Sequence, residues 1–385
     1  MYTFLLLLIY LAFISLGLPD SLLGSAWPVI HTAFDVPLSY AGFVTMIISF
    51  GTICSSLMSE RLTKKLGVNI VTVCSVFLTA VALYGFSTAS AFWMLCLWAV
   101  PYGLGAGAID AALNNYVALH YSSKHMSWLH CFWGLGTIIS PYVMSYALTH
   151  SVWQNGYRMV AFVQIAIAVI LLVTLPVWKV NRTTEQQKEQ EARVIGIRGV
   201  FQIKGVPQLL LGFFSYCALE STLILWASSY LVGAKGISAE RAAAFASLFC
   251  IGITAGRFLA GFVTEKLGDY RLIQIGAGVL FAGCIAMLLP VPTDFLPLAG
   301  LVVMGVGCAP VYPSIIHATP SNFGKENSQA IIGIQMASAY FGSTFMPPVF
   351  GLIANHISVG LMPVYVMLFV VLMYVMIRKT FRITH

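Results

Sequence analysis

Residues 51–67 read GTICSSLMSERLTKKLG, and residues 252–268 read GITAGRFLAGFVTEKLG. Both stretches open on glycine and close on Thr-x-Lys-Leu-Gly, at Thr63–Gly67 and again at Thr264–Gly268. Further pairs follow in the same order. Phe13, Ser15, Asp20 and Ser21 match Phe213, Ser215, Glu220 and Ser221. Gly103-x-Gly105 matches Gly305-x-Gly307, and Gly136 with Pro141 matches Gly342 with Pro347. Apolar helices resemble one another, so one such match means little. Four in register at nearly constant offset indicate that the second half of the chain repeats the first, the weak internal symmetry expected of many transport proteins.

The composition says what kind of halves these are. Of 385 residues, 59% are apolar and 9% charged, against about 25% charged in soluble domains. A bilayer-spanning helix needs about 20 mostly apolar residues, and such runs recur throughout. Spans are predicted at 2–28, 39–60, 68–88, 91–119, 127–149 and 157–178, then at 207–233, 240–265, 270–290, 295–319, 327–355 and 358–379. Met1–Leu11 has no basic n-region and no cleavage site close behind it; the run continues through Leu18 as an uncleaved first span. The expectation is an all-α membrane protein of twelve transmembrane helices in two pseudo-symmetric six-helix halves, 1–178 and 207–385. A polar cytoplasmic linker over 179–206, with a short surface helix, joins them. The eight cysteines are scattered without a CxxC pair, which speaks against a disulfide framework or a metal site. The net charge of +7 sits in loops and reflects topology rather than nucleic-acid binding. With the N-terminus inside, sixteen lysines and arginines fall in inner segments and three (Arg158, Lys235, Arg241) in outer ones, a positive-inside bias that puts both termini in the cytoplasm of a cell membrane. No phosphate loop, HExxH or nucleotide fingerprint is present, so the expectation is a transporter working as a monomer without cofactor, not an enzyme.

The loop 60–67, ERLTKKLG, and its closer copy 261–268, GFVTEKLG, resemble the loop signature of the major facilitator superfamily; Arg61, Lys65, Gly67, Lys266 and Gly268 are its structural or gating positions here. In the first copy Lys64 stands where the signature has an acid. Residues 103–114, GLGAGAIDAALN, and 129–136, LHCFWGLG, resemble spans 4 and 5 of the fucose permease group, the fucose–galactose–glucose:proton symporters, and Asp20 stands where that group has a span-1 aspartate. The permease carries a glutamate in span 4 and an asparagine in span 5; here Asp110 and Trp133 occupy those places. The resemblance implies a sugar-class substrate and proton coupling through Asp20 and Asp110.

Charge at the bilayer centre costs at least about 2.5–3.5 kcal/mol, so each ionisable residue within a span needs a reason. Asp20 lies in GLPDSLLG, residues 17–24, where proline and glycine interrupt the helix. An acid beside such a break suits alternating proton binding, or a plain interhelical hydrogen bond. Asn114 follows Asp110 by one turn on the same face, so the two suit a sugar hydroxyl, a proton or helix–helix adhesion. Glu220 suits a hydroxyl, a second proton or sodium, or a protonated contact with span 11. His130 is a group that both donates and accepts. Sugar sites pair polar groups with aromatic faces, which makes Trp133, Trp226, Tyr230, Tyr312, Gln335 and Tyr340 further candidates. Trp27 and Tyr40 read as interface anchors. Arg257 reads as structural or gating, snorkelling toward the cytoplasm. An exporter exchanging drugs or metabolites for protons is the alternative. It is weakened because span 5 has no glycine after Pro141. A transport-dead receptor would have lost the intramembrane acids.

Overall fold

The structure, a computed structural model, describes residues 2–37, 40–179, 195–237, 239–289 and 294–385. The middle of the predicted linker, including Arg182, Lys188 and Arg193, lies outside them, as does the Arg241 side chain. Among the described residues the elements are helical, with no strand. In order they are α1 (Tyr2–Gly17), α2 (Leu22–Ala33), α3 (Ala41–Leu66), α4 (Val68–Ser87), α5 (Phe92–His120), α6 (Ser123–His150), α7 (Trp153–Val173), α8 (Leu175–Lys179) and α9 (Gly196–Gln202). Then come α10 (Val206–Lys235), α11 (Ala239–Leu267), α12 (Asp269–Leu288), α13 (Phe295–Cys308), α14 (Val311–His317), α15 (Thr319–Phe323), α16 (Lys325–His356) and α17 (Met362–Thr384). Among the described residues eleven passes are long and apolar enough to cross a bilayer. The twelfth is α16, of 32 residues, which carries Asn327, Gln329 and Gln335 in its first half. Outward faces present Phe50, Trp93, Val173, Phe295 and Leu368, an apolar coat that suits lipid rather than water.

Among the described residues the first and tenth passes are each broken at a proline. The first separates into α1 and α2 around Pro19. Proline has no N–H to offer the carbonyl four residues back, and that carbonyl, on Ser15, instead accepts from Gln164 Nε2 of α7. The tenth pass divides into α13, α14 and α15 with Pro310 at the first break. The repeated Thr-x-Lys-Leu-Gly sequences form the same turn twice. Gly67 (φ 87, ψ 153) and Gly268 (φ 77, ψ 157) end α3 and α11, each donating its N–H to the threonine carbonyl at 2.8 Å. That backbone region is open essentially to glycine alone, and the next helix starts at once.

The chain folds into two compact units, one of residues 1–116 with 129–196, the other of 117–128 with 197–385. In the first, Leu22, Ile30, Leu83, Leu95, Val160 and their neighbours form the core. Trp27, expected at an interface, is 4% exposed in that core, edge-on to Phe92. At α1 and α6 two glycines let the backbones meet: a Cβ on Gly136 would strike the Ile14 carbonyl and the Leu18 amide, and one on Gly17 the Trp133 carbonyl. In the second unit, residues 117–128 are held by several bonds. Ser122 Oγ donates to Glu265 Oε1 at 2.8 Å, Ser123 Oγ donates to Asp269, and Trp128 Nε1 donates to the Phe258 carbonyl at 3.2 Å. His317 places Nδ1 2.6 Å from Asp269 Oδ2 and Nε2 3.1 Å from the Tyr121 carbonyl.

Candidate functional site

In the first unit the α1–α2 break carries Asp20 clear of a regular helix. The residue is exposed as a whole, and its carboxylate is gripped from two helices. Tyr102 of α5 donates its hydroxyl to Oδ1 at 2.9 Å, and Trp133 of α6 donates its indole N–H to Oδ2 at 2.9 Å. The close α1–α6 approach at Gly17 and Gly136 is what brings the indole there. Both donors are neutral, so no cation among these contacts fixes Asp20 as an anion.

A second polar cluster lies in the same unit. Asn114 Nδ2 donates to Asp110 Oδ1 at 2.8 Å and to the Asp110 carbonyl at 3.0 Å. Its Oδ1 then accepts from His130 Nε2 at 3.0 Å, which makes Nε2 the protonated nitrogen in this contact. The three side chains are buried, and Phe13 of α1 packs edge-on to the His130 ring. Asp110, Asn114 and His130 are thus brought together; Asp20 is tied to Trp133 instead.

In the second unit Glu220, midway along α10, accepts on Oε1 from Tyr216 Oη at 2.9 Å and from Arg257 Nη2 at 3.0 Å. This corrects the reading of Arg257. The side chain does not snorkel: it is 3% exposed and ion-paired to Glu220. Breaking such a pair by removing one partner costs about 3–5 kcal/mol. Glu220 likewise meets α11, not span 11. Tyr312 lies beneath the guanidinium, its ring centroid 5.8 Å from Cζ.

The other aromatic candidates divide. Trp226 donates to the Pro347 carbonyl at 2.9 Å and Tyr230 to the Met287 carbonyl at 2.6 Å, so both polar tips are spent joining helices. Gln335 is buried and accepts from Thr319 Oγ1 at 3.1 Å. Tyr340 is half-buried on α16. In the signature loops Arg61, Lys65 and Lys266 are exposed; the contacts fall to Lys64, paired with Glu60 at 3.0 Å, and to Glu265 and Asp269. Tyr102, Tyr216 and Gln164 were not among the sequence candidates. Tyr216 sits one helical turn before Glu220, a spacing that places the two on one face, and Gln164 answers a proline visible in the sequence.

A family model described as Major Facilitator Superfamily matches residues 9–298. Among curated proteins, the Saccharomyces cerevisiae "Bypass of stop codon protein 6" is 22% identical over 91% of this chain and 77% of its own length. The Bacillus subtilis glucose/mannose transporter GlcP is 22% identical over 90% of this chain and 87% of its own. Among solved structures, that of the E. coli fucose:proton symporter FucP superposes with a TM-score of 0.79 at 17% identity, covering 98% of this chain and 99% of that one. With twelve helical passes, repeated Gly-capped turns and a family match over most of its length, the chain belongs to the major facilitator superfamily of membrane transporters.

Proposed function

We propose that the chain is a secondary active transporter of the cell membrane, working by alternating access, that carries a sugar or related polar small molecule together with protons. Both termini lie in the cytoplasm, and the two domains are 1–178 and 207–385 with 179–206 as linker. The protein acts as a monomer. The observation that carries the reading is Asp20: an acid at a helix break, exposed, and held by the neutral donors Tyr102 and Trp133 alone among the described contacts. A carboxyl so placed can be ionised in one state and protonated in another without abandoning a buried cation. Asp110 supplies the second coupling acid, with Asn114 and His130 linked to it. The likeness to a glucose/mannose transporter and to a fucose:proton symporter supports a sugar as cargo.

The test is uptake of a radiolabelled sugar panel into proteoliposomes, with and without an inward proton gradient and with sodium in place of the gradient. Accumulation only with the proton gradient supports the reading. Accumulation driven by sodium removes the proton assignment. Expulsion of lipophilic cations with no sugar uptake makes the protein an exporter.

A further inference from the structure

Asp20 and Glu220 occupy matching places in the repeat, yet their surroundings differ in one decisive respect. Asp20 has one neutral donor on each oxygen. Glu220 has both its donors on Oε1, and one of them is a guanidinium. Among the described residues Oε2 accepts no hydrogen bond, and the Glu220 side chain is 15% exposed whereas Arg257 is 3% exposed. The pair therefore has a buried guanidinium, whose Nη2 is bonded to Oε1, on a partly exposed carboxylate whose second oxygen is left for another donor.

We infer that Glu220 is the acceptor for a hydroxyl of the transported sugar, and that Arg257, ion-paired to it at 3.0 Å, is the positioning residue that holds it. The inference rests on the sugar-symporter reading and assigns this acid a role different from that of Asp20. Three ligands compete for a carboxylate in a transporter: a proton, a metal cation and a hydroxyl. A proton on Glu220 would leave the buried Arg257 without its counter-ion, an expensive state. A sodium ion would have to sit beside that same guanidinium. A hydroxyl needs only a lone pair at Oε2, and a hydrogen bond to an ionised acceptor is among the stronger neutral–charged contacts. Tyr312, half-buried, tilted against Phe213 and edge-on to Tyr216, adds an aromatic ring beside the Arg257 partner of that carboxylate.

The experiment uses purified full-length protein in proteoliposomes with radiolabelled D-glucose and L-fucose, and the monodeoxy analogues of whichever is carried. The Glu220→Gln variant is expected to raise KM roughly tenfold to a hundredfold, the worth of one hydrogen bond to a charged group. It should leave the gradient-driven accumulation ratio unchanged. The parent should discriminate against one monodeoxy analogue by a similar factor, and Glu220→Gln should erase that preference. Arg257→Lys should raise KM without changing the accumulation ratio. If it fails to fold, the double variant Glu220→Gln with Arg257→Met removes both charges and should recover expression while keeping the Glu220→Gln phenotype. Infrared difference spectra of parent against Glu220→Gln should lose a carboxylate band and no protonated carboxyl band across the pH range of transport. A lowered accumulation ratio in Glu220→Gln, or a protonated carboxyl band, would make Glu220 a proton carrier and overturn the inference while leaving the symporter reading standing. Unaltered KM and unaltered deoxy-sugar preference would overturn it equally. If the parent carries no sugar at all, the symporter reading fails and takes this one with it.

Discussion

Trp133 Nε1 lies 2.9 Å from Asp20 Oδ2, and Tyr102 Oη lies 2.9 Å from Oδ1. Each oxygen of the carboxyl thus has one donor, from a different helix, and each donor favours the ionised form. Trp133→Phe removes one of them and is expected to weaken that form by about 1.5–3 kcal/mol. Driven sugar uptake should then fall. Asp20→Asn should abolish accumulation against a gradient while substrate exchange persists. Uptake and counterflow in the same vesicles check both; an Asp20→Asn protein that still concentrates sugar would remove Asp20 from the coupling step.

The cluster of Asp110, Asn114 and His130 calls for a different test, because its middle member is an amide. Asn114 donates to one neighbour and accepts from the other, so removing it leaves two buried groups without that partner. Asn114→Leu should be more damaging than His130→Phe, by about 1–3 kcal/mol in thermal unfolding. The variants Asn114→Leu and His130→Phe should be strongly non-additive when combined. Additive losses would mean that the three residues do not act as a unit.

The class of fold was legible because it depends on bulk properties: long apolar runs, a repeat, and basic residues segregated into loops. The repeated Thr-x-Lys-Leu-Gly turn was legible for a local reason, since a glycine in that backbone region cannot be replaced without strain. Asp110 and Asn114 were legible as a pair because helical spacing alone sets them on one face. What spacing along one helix cannot give is which other helix lies opposite. Arg257 is four residues from Gly261 and nine from Lys266 in the sequence, and it looks able to reach the loop; only the packing of α10 against α11 turns it to Glu220. The helix partners of Trp226 and Tyr230 were hidden for the same reason, and the structure shows their polar tips bonding helices together.

The bond from Gln164 to the Ser15 carbonyl is explained by Pro19 and is tested through it. Gln164→Leu leaves a buried carbonyl unsatisfied and should destabilise the protein by about 1–3 kcal/mol. Pro19→Ala supplies an N–H four residues after that carbonyl, the helical spacing, so the cost of Gln164→Leu should shrink in the Pro19→Ala background. Thermal unfolding of the four proteins in detergent closes the cycle. Equal costs in both backgrounds would mean that the glutamine serves something other than the proline break.

Gly268 ends α11 with φ 77 and ψ 157, and a Cβ there would meet no atom within 4 Å. Any penalty for Gly268→Ala is therefore backbone strain alone, about 1–3 kcal/mol. Gly278, in the middle of α12 and equally open around its Cβ position, is the control: Gly278→Ala should be neutral or stabilising by up to about 1 kcal/mol. Similar melting shifts for the two would show that the turn does not depend on its positive φ.

Asp269, one residue beyond that glycine, sets the last prediction. One of its oxygens accepts from Ser123, and the other lies 2.6 Å from His317 Nδ1, whose Nε2 reaches the Tyr121 carbonyl at 3.1 Å. His317 thus faces an acceptor on each ring nitrogen, an arrangement that a doubly protonated imidazolium satisfies in full. The cluster holds residues 117–128 within the second unit from both sides of one histidine. His317→Ala and Asp269→Ala should each lower the melting temperature. The double variant should lose less than their sum, by a coupling of about 0.5–3 kcal/mol. His317→Gln, which keeps only one donor group, should fall between parent and His317→Ala. Labelling a cysteine introduced at Lys124 gives the local readout, since that side chain lies over the Trp128 ring at 4.5 Å. Faster labelling in His317→Ala places the loss at the 117–128 segment, whereas unchanged labelling with a lower melting temperature would assign the histidine to packing of α14 alone.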